Sequence, residues 1–311
     1  MPARERQNAA MLNDNPNIFT GNPLDRAGNQ RRNPDWIAAQ RDHADAQMLV
    51  ISKAEPLIIR DTPKSRLSWL TLDALTLLRG EPELVLLGLE HGSPRYAVNV
   101  TGQEEAFSGM GEFAVLRQAA PYLSPRDLSV AGQAVWLISW HYRHRHCAKD
   151  GGPTVLADGG FKRINPATGA EHFPRTDPVA IVLPTFGDEV CMGRGVNFPE
   201  GFFSAFAGFL EPCETLEECG VRELKEEAGL DVTEIEYAFS QPWPFPSSLM
   251  VGFEAKVASK ELTLDPDEIA EARWFSRTEI EAMLAPGRAE PPFAPPPFAI
   301  AHQLLKRWVC R

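Results

Sequence analysis

The stretch "GFLEPCETLEECGVRELKEEAGL", residues 208–230, decides the fold of the C-terminal half of this chain. Thr215 is placed to cap a helix, and Glu218, three residues on, completes a capping box. Gly229 stands where the helix must end, because glycine takes the left-handed geometry of a C-terminal cap at no steric cost. Between the caps, Glu223, Glu226 and Glu227 recur at i, i+3 and i+4, so three carboxylates share one face. Val221, Leu224 and Ala228 are expected on the opposite face as apolar anchors. Like charges at these spacings cost roughly 0.2–0.5 kcal/mol per pair, and Lys225 projects elsewhere instead of neutralising them. A hard divalent cation removes the penalty, since Mg²⁺ takes carboxylate oxygens and still keeps waters and substrate phosphates. Arg222 is within reach of Glu214 and is expected to lock the preceding loop to the helix. On the three acids alone, a surface helix with surplus glutamates is the competing reading.

The full spacing decides between them. Gly208, five residues, Glu214, seven residues, then Arg222 to Leu230 fill every fixed position of the Nudix box. The segment resembles the loop–helix–loop of Nudix hydrolases, which cleave a nucleoside diphosphate joined to another moiety. That resemblance implies an α+β chain whose C-terminal domain is the Nudix α/β/α sandwich, a mixed sheet carrying the box. It also implies that Glu223, Glu226 and Glu227 hold Mg²⁺ or Mn²⁺ with the carbonyl of Ala207. Glu268 in "DPDEIAEARWF" matches a further metal or base carboxylate. Glu227 and Glu268 are both candidate bases, with Arg222 and Glu214 as their support.

A second stretch, "SQPWPFPSSLM" at 240–250, begins ten residues after the helix ends. Pro242, Pro244 and Pro246 forbid a helix and spoil a central strand. The strip is therefore stiff, and stiff rings beside Gln and Ser suit flat hydrogen-bonding ligands; a loop whose Trp and Phe plug the core is the alternative. It resembles the SQPWPFPxS element of the NADH pyrophosphatases within the Nudix group. The resemblance implies that Gln241, Pro242, Trp243, Pro244, Phe245, Pro246, Ser247 and Ser248 contact substrate. Ala301 and Phe173 match further substrate positions, Phe173 standing where some relatives have tyrosine.

In that family the Nudix domain follows an N-terminal domain and a zinc ribbon with two Cys-x-x-Cys pairs. Here the corresponding positions read Cys147-x-x-Asp150 and Asn165-x-x-Thr168. One thiolate remains, Cys147, and Asn and Thr are poor ligands where four donors are needed. No zinc is expected, although His144, His146 and His172 lie near enough in sequence to substitute. The chain is accordingly divided into an N-terminal α+β domain (1–140), a degenerate zinc-ribbon-like connector (141–178) and the Nudix domain (179–311).

The remaining sequence fits this plan. Residues 1 to about 40 read as a loop-dominated arm, 104–123 and 124–146 as two helices, and the segment around 296–309 as a final helix. With 311 residues, 43% hydrophobic and 23% charged, the chain is of ordinary globular composition. No apolar run is long enough to span a membrane, and the first residues lack the apolar stretch of a signal peptide. Five cysteines form no disulfide framework, which favours the cytoplasm. A net charge of −11 argues against a general nucleic-acid binder. The small basic clusters Arg31-Arg32 and His141 to His146 are read as solvated faces or interdomain contacts. The expected activity is metal-dependent hydrolysis of the NAD⁺ or NADH pyrophosphate to AMP and the mononucleotide, with removal of NAD caps from RNA 5′ ends as a further implication. A homodimer is expected, again from the resemblance. A hydrolase of another dinucleotide or an ADP-sugar, and a non-catalytic nucleotide sensor, are the alternatives.

Overall fold

The structure, a computed structural model, describes residues 15–61 and 64–311. The arm expected over the first 40 residues is thus described from Asn15 onward. The chain divides into two compact units. One holds Asp177–Pro242 and Ser248–Arg311 with residues 15–18; the other holds Phe19–Thr176 and Trp243–Ser247.

In the unit that begins at Phe19, helix α1 (Pro34–Arg41) starts at Asn33, whose side chain accepts from the N–H groups of Asp35 and Trp36. This helix stands where a loop-dominated arm is expected. Asn33-Pro34 is nonetheless the capping residue and first-turn proline of a helix start. Strands β1 (Gln47–Ser52), β2 (Glu55–Arg60), β3 (Ser65–Leu67), β4 (Trp69–Thr71), β5 (Leu84–Glu90), β6 (Ser93–Asn99) and β7 (Glu112–Phe113) form one sheet. Its order is β3-β2-β1-β6-β5, with β4 on β1 and β7 on β2. Met48, Val50, Leu57, Leu86, Val98 and Phe107 form its core.

The helix expected over 104–123 is broken into a 3₁₀ turn at Glu104–Phe107, strand β7 and a short α2 (Leu116–Ala119). Gly111 gives the reason. Its φ is +148° and a Cβ there would lie 2.5 Å from the Ile58 carbonyl oxygen, so the backbone is pressed against β2 in a non-helical conformation. Helix α3 (Pro125–Arg143) matches expectation, with Ser124 accepting from the Asp127 N–H and proline in the first turn.

The connector forms a three-stranded sheet of β8 (Val155–Ala157), β9 (Lys162–Ile164) and β10 (Glu171–His172). Arg163 on β9 is 2% exposed. Its guanidinium donates to both Glu83 carboxylate oxygens at 2.7 and 2.9 Å, to the Thr154 carbonyl and to His141 Nδ1. His141 in turn donates from Nε2 to the Gly160 carbonyl, and burial pushes its pKa down to about 4. It is therefore neutral at pH 7, as accepting from an arginine requires. Arg31 lies over the Phe161 ring. These basic side chains pack within their own unit.

The other unit carries strands β11 (Asp177–Phe186), β12 (Glu189–Gly195), β13 (Phe206–Phe209), β14 (Val232–Trp243), β15 (Ser248–Val257) and β16 (Ile269–Ser276). The order is β14-β15-β11-β12-β16, with β13 on β11. β11 runs parallel to β15 and antiparallel to β13, so the sheet is mixed. Alternation along β11 builds two cores. Ile181 and Leu183 pack with Phe275, Ile280, Leu304 and Trp308, under helices α5 (Arg277–Leu284) and α6 (Ile300–Val309). Ala180 and Val182 face the other way, against Phe206, Phe253 and the buried face of α4 (Leu216–Ala228). A sheet with helices on both faces is the expected sandwich. Helix α5 was not anticipated, although Ser276 and Glu279 form a complete capping box. The proline strip enters as the end of β14, an edge strand, where a missing N–H is tolerated. It then turns over 244–247.

Helix α4 starts with reciprocal bonds: Thr215 accepts from the Glu218 N–H at 3.1 Å and Glu218 accepts from the Thr215 N–H at 2.7 Å. Replacing Thr215 by alanine should cost about 1 kcal/mol. The thermal midpoint of the purified protein should fall by a few degrees.

Candidate active site

Helix α4 buries Cys219, Gly220, Glu223, Leu224, Glu227 and Ala228. That arc corrects the expectation of carboxylates and anchors on opposite faces. Residues at i, i+1, i+4, i+5, i+8 and i+9 form one stripe, so Glu223 and Glu227 lie beside Leu224 and Ala228. Val221 falls outside it and is exposed. Two glutamates are thus 8% and 7% exposed on the side facing the sheet, while Glu226 stays in solvent. Lys225 reaches the Asp231 carboxylate at 2.7 Å, away from all three.

Room for the Glu223 carboxyl is made by Gly208 at the end of β13. A Cβ on Gly208 would sit 1.8 Å from the Glu223 carboxyl carbon, so the box glycine is a steric requirement. Arg222 locks loop to helix as expected. It donates to Glu214 at 2.8 and 3.1 Å, to Glu223 at 2.7 Å, to Glu226 at 3.0 Å and to the Phe209 carbonyl at 3.0 Å. Those bonds hold the Glu214 carboxyl down at about 2, with the Glu211 N–H assisting. The same partners raise the Arg222 pKa, so it is charged throughout.

Glu227 lies differently. Its Oε2 is buried with no hydrogen-bond partner. Burial first, then the charges of Glu223 and Glu268, push its carboxyl up to about 8; Asp265 adds to this and a backbone hydrogen bond at Ala207 opposes it. Glu223 is also raised by burial, with Arg222 opposing and Glu226 and Glu268 adding. Four glutamates from two distant segments therefore share one field. Glu268 is exposed on a turn held by Asp265, whose carbonyl accepts from the Glu268 N–H and whose N–H donates to the Glu227 carbonyl at 3.2 Å. Sequence reasoning passed over Asp265, though its Asp-Pro-Asp turn signature was available.

Among the described residues, no three His, Cys, Asp or Glu side chains stand as a ready metal cage. Glu223 and Glu226 are turned onto Arg222. The donors nevertheless fit a hard divalent ion: all are carboxylate oxygens, one is buried without a partner, and their mutual repulsion is what such an ion relieves.

The substrate-strip positions are divided between the units. Gln241 is fully buried; its amide donates to the Phe298 carbonyl at 2.8 Å and the Ile18 carbonyl at 3.4 Å, and its Oε1 has no partner. Ser248 is buried at the start of β15, and Pro242 is half-buried. In the other unit, Trp243 and Phe245 meet edge-to-face at 5.1 Å, and both rest on Phe19 at 6.4 and 5.8 Å. Pro244 and Ser247 are buried there, while Pro246 is exposed. The rings thus have protein partners, in line with the alternative of a loop whose Trp and Phe pack inward, though Phe19 as the partner had no sequence signal. Ala301 is buried in the core beside Ile300 and Leu304. Phe173, after β10, is 63% exposed.

This arrangement has known counterparts. The NUDIX domain family matches residues 174–293, the NADH pyrophosphatase-like rudimentary NUDIX domain matches 45–140, and the NADH pyrophosphatase zinc ribbon domain matches 143–173. The NAD-capped RNA hydrolase NUDT12 of Homo sapiens is 33% identical over 94% of this chain and 73% of its own length. The chain belongs to the NADH pyrophosphatase family of Nudix hydrolases. The NAD-capped RNA hydrolase NudC of Mycobacterium bovis is 43% identical, covering 66% of this chain and 67% of that protein. The mitochondrial NAD(P)H pyrophosphatase NUDT13 of Mus musculus is 39% identical over 72% of this chain and 66% of its own. Among the described residues no helix is long and apolar enough to cross a membrane.

Two outcomes follow for a Nudix hydrolase built this way. Gly208→Ala must displace the Glu223 carboxyl, and a misplacement near 1 Å should cost about 100-fold in turnover. The second concerns pH. A carboxyl whose pKa is raised on folding is penalised once pH exceeds its unfolded value, and fully so above about 8. In chelator, Glu227→Gln should therefore melt several degrees above wild type at pH 8.5, the gap closing toward pH 4.5. Melting curves across that range check the sign.

Proposed function

We propose that this chain hydrolyses the pyrophosphate of NAD⁺ and NADH to AMP and the corresponding mononucleotide, and removes NAD caps from RNA 5′ ends. The observation that carries this reading is the buried carboxylate pair of α4, with Glu227 repelled by its neighbours and one of its oxygens unpartnered. The names of the relatives supply the substrate class.

Glu223, Glu226 and Glu227, with the Ala207 carbonyl, would hold Mg²⁺ or Mn²⁺, and of the metal and base roles open to Glu268 we assign it that of the base. When bound, the ion neutralises pyrophosphate charge and acidifies a water. Everything else falls to the chain. Arg222 and Glu214 keep the box loop on the helix, so that Glu223 cannot swing away from Gly208. Glu227, being buried, suits a ligand: ionising it there demands a cation. Glu268 is exposed, so it can accept the proton of an attacking water and release it to solvent. Gln241 is carried into this proposal as one of the family's contact positions, its Oε1 being without a protein partner. The rest of the strip to Ser248, with Phe173 and Ala301, carries the family's remaining contact positions into this proposal. A homodimer in the reducing cytoplasm completes it; sedimentation at twice the chain mass tests the former.

The roles separate in kinetics. Glu227→Gln should lower kcat by about 10³-fold and raise the Mg²⁺ concentration needed. Glu268→Gln should lower kcat by about 10²-fold or more at an unchanged Mg²⁺ requirement. Reversal of the two patterns exchanges the assignments. Turnover of NADH, NAD⁺, ADP-ribose and diadenosine substrates tests specificity, and a wide preference for ADP-ribose would overturn the NAD(H) reading. Because the net charge is −11, binding of capped RNA should show a shallow salt dependence.

A further inference from the structure

The matched ribbon family implies a tetrahedral zinc with four protein donors. The side chains here do not fit that ion. Cys147 is buried, but Asn165 turns its amide nitrogen, a donor rather than a ligand atom, onto Asp150 at 3.0 and 2.9 Å. His144 Nδ1 is committed to the Trp140 carbonyl at 2.8 Å, and its ring is stacked on Trp140. Among the described residues no other His, Cys, Asp or Glu completes a site.

Both turns of a two-knuckle ribbon are nevertheless present. In the first, the Cys147 N–H donates to the Gly152 carbonyl at 2.7 Å and the Gly151 N–H to the Cys147 carbonyl at 2.9 Å. In the second, the Asn165 N–H donates to the Ala170 carbonyl at 2.9 Å and the Gly169 N–H to the Asn165 carbonyl at 2.8 Å. Asp150 is fixed by the Gly152 N–H at 2.8 Å, and Asn165 Oδ1 by the Ala167 N–H at 2.9 Å. A Cβ on Gly152 would stand 3.0 Å from Asn165 Nδ2 and 3.1 Å from Asp150 Oδ1, so glycine permits their approach.

We infer that the Asp150–Asn165 pair, with Cys147 packed beside it, is the cross-link that joins the two knuckles in place of zinc. The chemistry is consistent: a charge-assisted bond from one amide to both carboxylate oxygens bridges two turns fifteen residues apart. Buried Arg163, paired with the exposed Glu83, anchors β9 independently. The ribbon of this chain is then indifferent to zinc supply and to chelators. This inference concerns the connector alone and stands or falls apart from the hydrolase reading.

Metal analysis and melting of the full chain, purified without chelator, test it. Zinc should be below about one in ten chains, and with Mg²⁺ in excess to keep the Nudix carboxylates occupied the thermal midpoint should be unchanged by phenanthroline. Asn165→Asp sets two carboxylates together, so it should melt several degrees below wild type at pH 8 and recover toward pH 4. One zinc per chain, a phenanthroline-induced drop in midpoint, or an Asn165→Asp variant that melts like wild type at pH 8 would overturn the inference. The triple variant Asp150→Cys, Asn165→Cys, Thr168→Cys should acquire one zinc and become chelator-sensitive. If it folds and takes up none, the two turns are not arranged as knuckles and the inference fails.

Discussion

Two glutamates held out of water on one turn of α4, with a third charge at their edge, set the terms for the rest of the Nudix half. Burial of a carboxylate is unfavourable and its neighbours make it worse, so each one has a compensating feature. Glu223 has the Arg222 guanidinium and the space that Gly208 leaves. Glu227 has neither, and answers by holding its proton to about pH 8. The capping box and the left-handed Gly229 add nothing to acidity, but with the Asp265 turn they prevent the helix from relaxing the strain by fraying or rotating. Stability has been given up at one spot, where negative charge is concentrated out of water.

How much of this was legible in advance depends on the kind of signal. Spacing is local, and the box spacing located the helix, its caps, the clamp from Arg222 to Glu214 and the family. Periodicity says which residues share a face, but not which face meets the sheet. Glu223 and Glu227 therefore read as exposed opposites of Leu224, when they belong to the same buried stripe. Helices α1 and α5 were missed although Asn33-Pro34 and Ser276-x-x-Glu279 announce them. Conversely, the apolar pattern over 104–123 suggested a helix that Gly111 forbids through a contact with β2, invisible until the tertiary structure is known. The ring partners of Trp243 and Phe245 are of that second kind, since Phe19 lies more than two hundred residues earlier.

The connector shows a related substitution of one bonding type for another. A metal site tolerates no change of donor, whereas a hydrogen-bonded bridge needs only complementary polarity and a close approach, which Gly152 allows. Arg163, buried and satisfied on every side by Glu83, Thr154 and His141, holds the middle strand whatever happens at the knuckles. His141 must stay neutral to take part, and its low pKa keeps it so.

The strand that leaves the Nudix unit at Pro242 and re-enters at Ser248 threads five residues into the neighbouring unit's packing. A chain trimmed to its last 135 or so residues would still contain every box carboxylate, yet strand Trp243 and Phe245 without the ring of Phe19. Greasy, solvent-facing indole and phenyl groups on an edge strand invite self-association. The catalytic half is for that reason not portable: Trp243 to Ser247 have to travel with Phe19 and the residues that pack them, or be redesigned.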